Sequence, residues 1–397
     1  MLAAGLVLLG AAWRVSCLGA DGLTLGEAAR PGCYSDVIGL FQGRGLSADP
    51  LPYAEVVTEY PPLTALQWWV AGAFTQSVTG FFLVTALVQA LAAAIVVVVL
   101  RSTRLGVSRV LLFAGAPTLV VSGTTNWDLV AVALMLGGLV ASHRGKDTGA
   151  GVLLGLGGLA KLFPLVAVPA TAWAAAARSG RPGAVRVLGA AAVTVLVVQV
   201  PVALWAPSGW SAWLELNSQR PVDWDTAWYG LQVLSGRVLS IAEANVLVAA
   251  AVTIGWAVMV AWTVQSRRPG PDGLKAPTRP DPRALVLPLL IWVLLAGKVY
   301  SPQFSLWLLG LLALSQVPAW LVWTWLVADV AVWVVRAPFL AGQQGLEPSL
   351  PYSVFAVSLA LRGALLLGIM WHSLVDAGVL GRPGGSKPME IQHAPHG

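Results

Sequence analysis

Apolar residues run almost unbroken along most of this chain, and short polar stretches separate the runs. Phe81 to Leu100 and Val246 to Val264 show the pattern. Each is close to the ~20 residues that a helix needs to cross a hydrocarbon core. Because the runs lack a polar face, they predict helices that lie in lipid rather than on the surface of a soluble domain. The predicted fold is all-α, a polytopic transmembrane bundle of about twelve spans. They fall near 1–19, 79–100, 109–122, 127–142, 149–160, 162–177, 184–204, 244–265, 284–298, 303–316, 318–335 and 352–372.

Composition agrees with lipid as the main solvent. The 397 residues are 57% hydrophobic and 11% charged, whereas soluble domains carry about 25% charged residues. The 24 Lys and Arg outnumber the 18 Asp and Glu, but they sit in short inter-helix loops rather than on a basic face, which argues against nucleic acid. They report topology instead. With the N-terminus cytoplasmic, the inner loops collect fifteen of the 24 cations, including Arg101, Arg104, Arg109, Arg144, Lys146, Arg178, Arg181 and Arg186. Met1 to Leu18 lacks a basic start and is followed by many more spans, so it reads as the first helix rather than a cleaved signal. Arg14 stands where a lipoprotein signal would carry an aliphatic residue before Cys17. Cys17 and Cys33 both fall near the outer face, which leaves a disulfide between them open.

Counting 61–76 as a span would place the Arg101–Arg109 cluster outside, so this segment is expected to lie on the outer surface as an amphipathic helix. Loop one then extends over about 19–79, and long loops in compact proteins commonly carry function. A second outer loop, about 205–243, is rich in Trp. Residues 1–380 form one membrane domain. The Pro/Gly-rich inner linker Arg268 to Arg283 and the tail 381–397 read as disordered and cytoplasmic. No Walker A loop, dinucleotide fingerprint, His-Glu-x-x-His or G-x-S-x-G setting is present. The glycines of Gly149 to Gly158 lie inside an apolar span, where close helix packing explains them better than phosphate binding.

Ionisable residues beside or within apolar spans are costly and are functional candidates. Asp36, Glu59, Asp128, Lys161, Arg220, Asp223, Asp225, Lys298 and Arg336 all fall on or near the outer side, and their shared side favours a site over scattered headgroup contacts. Asp36, in Tyr34-Ser35-Asp36, can accept a proton from a sugar hydroxyl; a solvated loop carboxylate is the plain alternative. Glu59, in Glu59-Tyr60-Pro61-Pro62, equally suits a helix N-terminus. Lys161, if not merely snorkelling, and Lys298 could together bind a lipid phosphate. Arg362 lies mid-span and must pair with a carboxylate or hold an anion. Asp223-Trp224-Asp225 has the D-x-D form of metal sites in nucleotide-sugar transferases, a short and weak match. Trp205, Trp210, Trp213, Trp224 and Trp228 suit either a sugar cleft or the interfacial belt.

The order Tyr34-Ser35-Asp36, Pro52-Tyr53, Glu59-Tyr60-Pro61-Pro62, Asn126-Trp127-Asp128, Ala160-Lys161-Leu162-Phe163-Pro164 and Lys298-Val299-Tyr300-Ser301-Pro302-Gln303 resembles polytopic glycosyltransferases of the GT-C class. Within that class it resembles family 87, the actinobacterial polyprenyl-phosphate-mannose-dependent mannosyltransferases. The resemblance implies a large first extracytoplasmic loop with two surface-lying helices and a catalytic Asp early in it, matching Asp36. It also implies a lipid monophosphate sugar donor and inversion at the anomeric carbon. No family histidine finds a match, because His143, His372, His393 and His396 are all expected on or near the inner side.

The resemblance and the shared side of the charges together imply a multi-pass enzyme of the cell membrane whose site faces outward. It would move mannose from polyprenyl phosphate to a hydroxyl of a glycolipid, glycan or protein. Asp36 is the expected base, Lys161, Lys298 and Arg362 the expected phosphate ligands, and Tyr34, Glu59, Tyr60, Asp128, Tyr300 and Gln303 the expected substrate contacts. No metal or other cofactor is called for, since the donor lacks a diphosphate. Arabinofuranose transfer on the same scaffold is a rival within the class. A transporter or lipid flippase is a rival outside it, although no internal repeat is visible; a structural scaffold is the third reading.

Overall fold

The computed structural model describes residues 1–19, 22–28, 30, 32–266 and 281–377. Most of the expected inner linker, with Arg268, and the 381–397 tail lie outside the described residues. Among the described residues the chain is all-helical, with no strand beyond two isolated bridges. Each expected apolar segment is helical, and among the described residues five single helices are long and apolar enough to cross a membrane: Val78–Arg101, Arg181–Trp205, Ile241–Ser266, Ala319–Gln343 and Tyr352–Asp376.

The remaining segments are shorter because prolines and polar turns interrupt them. The run 109–122 splits at Pro117 into Val107–Ala114 and Thr118–Ser122. The expected spans 149–160 and 162–177 part at Lys161, where helix Asp147–Ala160 gives way to a 3-10 turn, Phe163–Val166, and then to Ala167–Ser179. Pro302 opens another 3-10 turn, Pro302–Ser305, ahead of Leu306–Leu314. Proline lacks an amide hydrogen and fixes φ, so it readily starts such turns and costs a hydrogen bond within a helix, as at Pro201 and Pro338 inside the long helices. In lipid the freed backbone groups must be met by protein or by a wet cavity.

The main core joins Leu2–Val15, Val78–Arg101, Asp128–His143, Val286–Ala296 and Leu306–Leu314 around Phe113, Met135, Leu290 and Trp325. Glycine brings helices close. A Cβ on Gly151 would stand 2.4 Å from the Val187 carbonyl oxygen, and one on Gly155 3.0 Å from that of Ala191, so the glycine run serves helix contact. Arg181–Trp205 and Ile241–Ser266 bury few residues and present Val193, Leu196, Val246 and Ile254 outward.

A second core packs loop one onto the bundle. Val37, Ile38 and Phe41, from the helix Asp36–Gly43, meet Trp68, Phe81, Phe82 and Trp127 there. The helix Pro62–Phe74 buries Thr64, Ala65, Trp68 and Ala71, leaves Phe74 exposed, and donates from the Thr64 hydroxyl to the Ala160 carbonyl at 2.6 Å. It is therefore half-buried, rather than simply resting on a surface. Cys17 and Cys33 are joined by a disulfide that ties the end of the first helix to the residues just before Asp36.

Candidate active site

Ser35, in extended backbone, ends loop one's return to the bundle, and Asp36 begins the helix Asp36–Gly43. Two backbone-directed bonds fix this entry: the Ser35 hydroxyl donates to the Thr124 carbonyl at 2.9 Å, and the Asp36 amide donates to the Thr125 carbonyl at 2.9 Å. The 124–127 turn then supplies Asn126, whose amide nitrogen donates to Asp36 Oδ2 at 2.7 Å and lies 2.9 Å from the Tyr60 hydroxyl oxygen. From the Pro302–Ser305 turn, Gln303 Nε2 donates to the same Oδ2 at 3.2 Å. The Tyr34 hydroxyl donates to Oδ1. The charge of Asp36, helped by desolvation, raises the Tyr34 phenol above its usual range and keeps it a donor.

Asp36 faces a cavity of about 890 Å³ that Tyr34, Glu59, Tyr60, Asn126, Lys161 and Gln303 also line. Arg220, Asp223 and Arg336 line it too. So do apolar residues, among which Val166 and Trp256 share one hydrophobic cluster. The cavity thus joins a polar, cation-bearing part to an apolar part.

Lys161 reaches the cavity because its backbone is extended at the end of Asp147–Ala160. Its Nζ lies 3.2 Å from Asp128 Oδ1 and 5.2 Å from the centre of the Tyr60 ring. Trp307 Nε1 donates to the same Asp128 oxygen at 2.8 Å. Asp128 is fully buried, so it meets the cavity through Lys161 rather than opening onto it. Glu59 is 3.8 Å from Arg44, and burial raises its carboxyl above the usual range.

Three of the expected site residues are engaged away from the cavity. Lys298 Nζ donates to the Ser218 carbonyl at 3.0 Å and to Asn245 Oδ1 at 2.5 Å. Arg362, 2% exposed, lies 3.7 Å from Asp329 and 3.8 Å over the Tyr300 ring. It therefore meets a carboxylate. Tyr300 is itself buried beneath it, which pushes the phenol up to about 12.

The Asp223-Trp224-Asp225 carboxylates are likewise spent on arginines. Arg336 Nε lies 2.8 and 3.2 Å from the two Asp225 oxygens, and Arg220 is 3.7 Å from Asp223. Of the five tryptophans considered for a sugar cleft, Trp213 lines the cavity. Trp210 donates to Gln199, Trp228 to the Ala296 carbonyl, and Trp205 is exposed. Sequence reasoning placed Arg220 and Arg336 among the outer-side candidates without assigning them a specific role, and it overlooked Trp256, Trp307 and Trp333, which also line the cavity. The available signal was a lone guanidinium, Arg336, inside the apolar helix Ala319–Gln343.

Residues 58–276, more than half of the chain, match the sequence family described as Glycosyltransferase family 87. The chain belongs to glycosyltransferase family 87. The family 87 match contains Glu59, Tyr60, Asn126, Asp128, Lys161 and Arg220, while Asp36 and Gln303 lie on either side of it. No curated protein sequence matches this family 87 member. Among solved structures, ArnT from Cupriavidus metallidurans bound to undecaprenyl phosphate is similar at 17% identity and a TM-score of 0.41, over 94% of this chain and 78% of that one. The oligosaccharyltransferase from Archaeoglobus fulgidus in the apo form is similar at 14% identity and a TM-score of 0.42, over 96% of this chain and 56% of that one. These likenesses are remote.

Proposed function

We propose that this glycosyltransferase moves mannose from a polyprenyl-phosphate donor to an acceptor hydroxyl at the outer face of the cell membrane, with inversion to an α-linkage. The observation that carries the reading is the hydrogen bonding of Asp36. A carboxylate offers about four acceptor positions. Asn126 and Gln303 occupy two on Oδ2, and Tyr34 occupies one on Oδ1. One position on Oδ1 is left for an incoming hydroxyl, on a carboxylate held from three sides at the cavity wall.

Asp36 takes the hydroxyl proton as the acceptor oxygen bonds to the anomeric carbon. The bond from that carbon to the donor phosphate oxygen breaks on the opposite side, and the electron pair leaves with the phosphate. The leaving group needs no proton, but its charge needs preorganised cations. Of the four cations that line the cavity, Arg30, Lys161, Arg220 and Arg336, we assign that role to Lys161, Arg220 and Arg336, in place of Lys298 and Arg362. The apolar part of the cavity, with Leu162, Val166 and Trp256, suits the lipid chain. The mechanism calls for no metal or other cofactor, and the acceptor is a hydroxyl of a glycolipid, glycan or protein. The Cys17–Cys33 disulfide supports the outward-facing assignment, since disulfides persist in oxidising compartments.

Transfer of label from polyprenyl-phosphate-mannose by the purified protein in detergent tests the reading, with Asp36→Asn run alongside. Loss of a general base is expected to cost about 10²–10⁴-fold in turnover. Wild-type turnover in Asp36→Asn overturns the base assignment. Transfer from the arabinofuranose donor alone overturns the sugar, and transport without product overturns the enzyme.

A further inference from the structure

The first helix, Leu2–Val15, carries a guanidinium that the transfer reaction leaves unused. Arg14 is 1% exposed, and among the described residues no carboxylate lies within ion-pair distance. Its donors are instead spent on oxygen acceptors. Nε donates to the Tyr34 carbonyl at 3.1 Å. Nη1 donates to the carbonyls of Gly10 and Val120, both at 3.3 Å, and to Thr124 Oγ1 at 3.2 Å. Nη2 donates to the Val121 carbonyl at 2.6 Å and to Thr125 Oγ1 at 2.9 Å. Gly10, one turn earlier on the same face, permits the close approach. A Cβ there would stand 2.0 Å from the Val120 carbonyl oxygen.

These acceptors are not a random sample of the fold. Tyr34 precedes Asp36 by two residues and also donates to its carboxylate. Thr124 and Thr125 supply the carbonyls that receive the Ser35 hydroxyl and the Asp36 amide. Asn126, the next residue, grips Oδ2. We infer that Arg14 is a positioning residue for transfer: from the first helix it holds both the segment that carries the Asp36 carboxylate and the turn that grips it. This rests on Asp36 being the base. A planar fork with five donors suits the task, because it reaches two chain segments at once in fixed directions; a lysine ammonium, with three donors and no plane, keeps the charge and loses the geometry.

The test measures kcat and donor KM for Arg14→Lys beside Asp36→Asn. A carboxylate displaced by about 1 Å loses on the order of 10²-fold in rate, so kcat is expected to fall by about that factor. Donor KM should stay within about twofold, because Arg14 contacts none of the cavity cations. Combined with Asn126→Ala, the loss should be much less than the product of the two single losses, since both act on one carboxylate. Combined with Lys161→Met, the losses should multiply. A role in folding alone predicts less folded protein with unchanged kcat per folded molecule, and that result overturns the inference. Should Arg14→Lys fail to fold, Thr124→Val removes one acceptor and is expected to lower kcat several-fold at unchanged KM; wild-type kcat there overturns the inference. Loss in Asp36→Asn with wild-type kcat in Arg14→Lys overturns the positioning role alone. Turnover retained in Asp36→Asn overturns the base assignment and this inference with it.

Discussion

A cation buried among apolar helices must meet a carboxylate or give every N–H to an oxygen, because an unpaired charge there is costly. Arg362 takes the first course with Asp329, Arg14 the second with carbonyls and hydroxyls, and Lys161 sits between cavity and carboxylate. That difference sorts the cations by what remains for a ligand. Lys161→Met and Arg220→Ala are expected to raise donor KM about ten- to hundredfold, the worth of one charge-assisted hydrogen bond. Lys298→Met should leave donor KM unchanged, because Ser218 and Asn245 already hold its ammonium. Steady-state kinetics with varied donor checks this, and the opposite ranking would return the phosphate to Lys298. In the sequence Lys161 and Lys298 look alike, each beside a proline-bearing turn. Only their neighbours from distant segments tell them apart.

Among elements, the breaks matter more than the helices. Lys161 stands where one apolar run stops being helical, Asn126 lies in the turn before Asp128–His143, and Gln303 lies in the 3-10 turn opened by Pro302. Broken helices free backbone groups and turn polar side chains into a shared space, which lipid tolerates only where that space is walled by protein. The disulfide does comparable work for loop one. Cys17 and Cys33 are 16 residues apart, and closing a loop of that size stabilises by about 3 kcal/mol in the chain-entropy picture. Cys33→Ser is therefore expected to lower the thermal midpoint and the turnover together. Dithiothreitol should reproduce both effects in the wild type and add nothing to the variant. A wild-type enzyme equally active and stable when reduced would show that Arg14 and the packing of Ile38 and Phe41 suffice.

For the whole molecule, the testable quantity is sidedness. Gln219 lines the cavity and is exposed, whereas exposed Lys146 lies between Asp128–His143 and Asp147–Ala160 beside the arginine-rich loops. With the native cysteines paired, Gln219→Cys in intact cells should react with an impermeant maleimide. Lys146→Cys should react only after permeabilisation. The reverse pattern would place the cavity on the cytoplasmic side and exclude an outer-face acceptor.

Hydrophobicity accumulates residue by residue along the chain, so the all-helical membrane character and the approximate place of each apolar segment were legible without any contact. The local order around Asp36, Glu59 and Lys161 was equally legible as a family resemblance. Helix length was legible only in part: the breaks at Lys161 and before Pro302 already separate the expected spans, whereas the break at Pro117 lies inside a run that a hydrophobic window reads as continuous. Nor was the partner of each charge. Asp36 meets Asn126 across 90 residues and Gln303 across 267, and Arg362 turns to Asp329 rather than to a ligand. Pairing depends on which turns the bundle brings together in space, so tertiary structure alone decided which of the expected polar residues share the cavity and which are paired away from it.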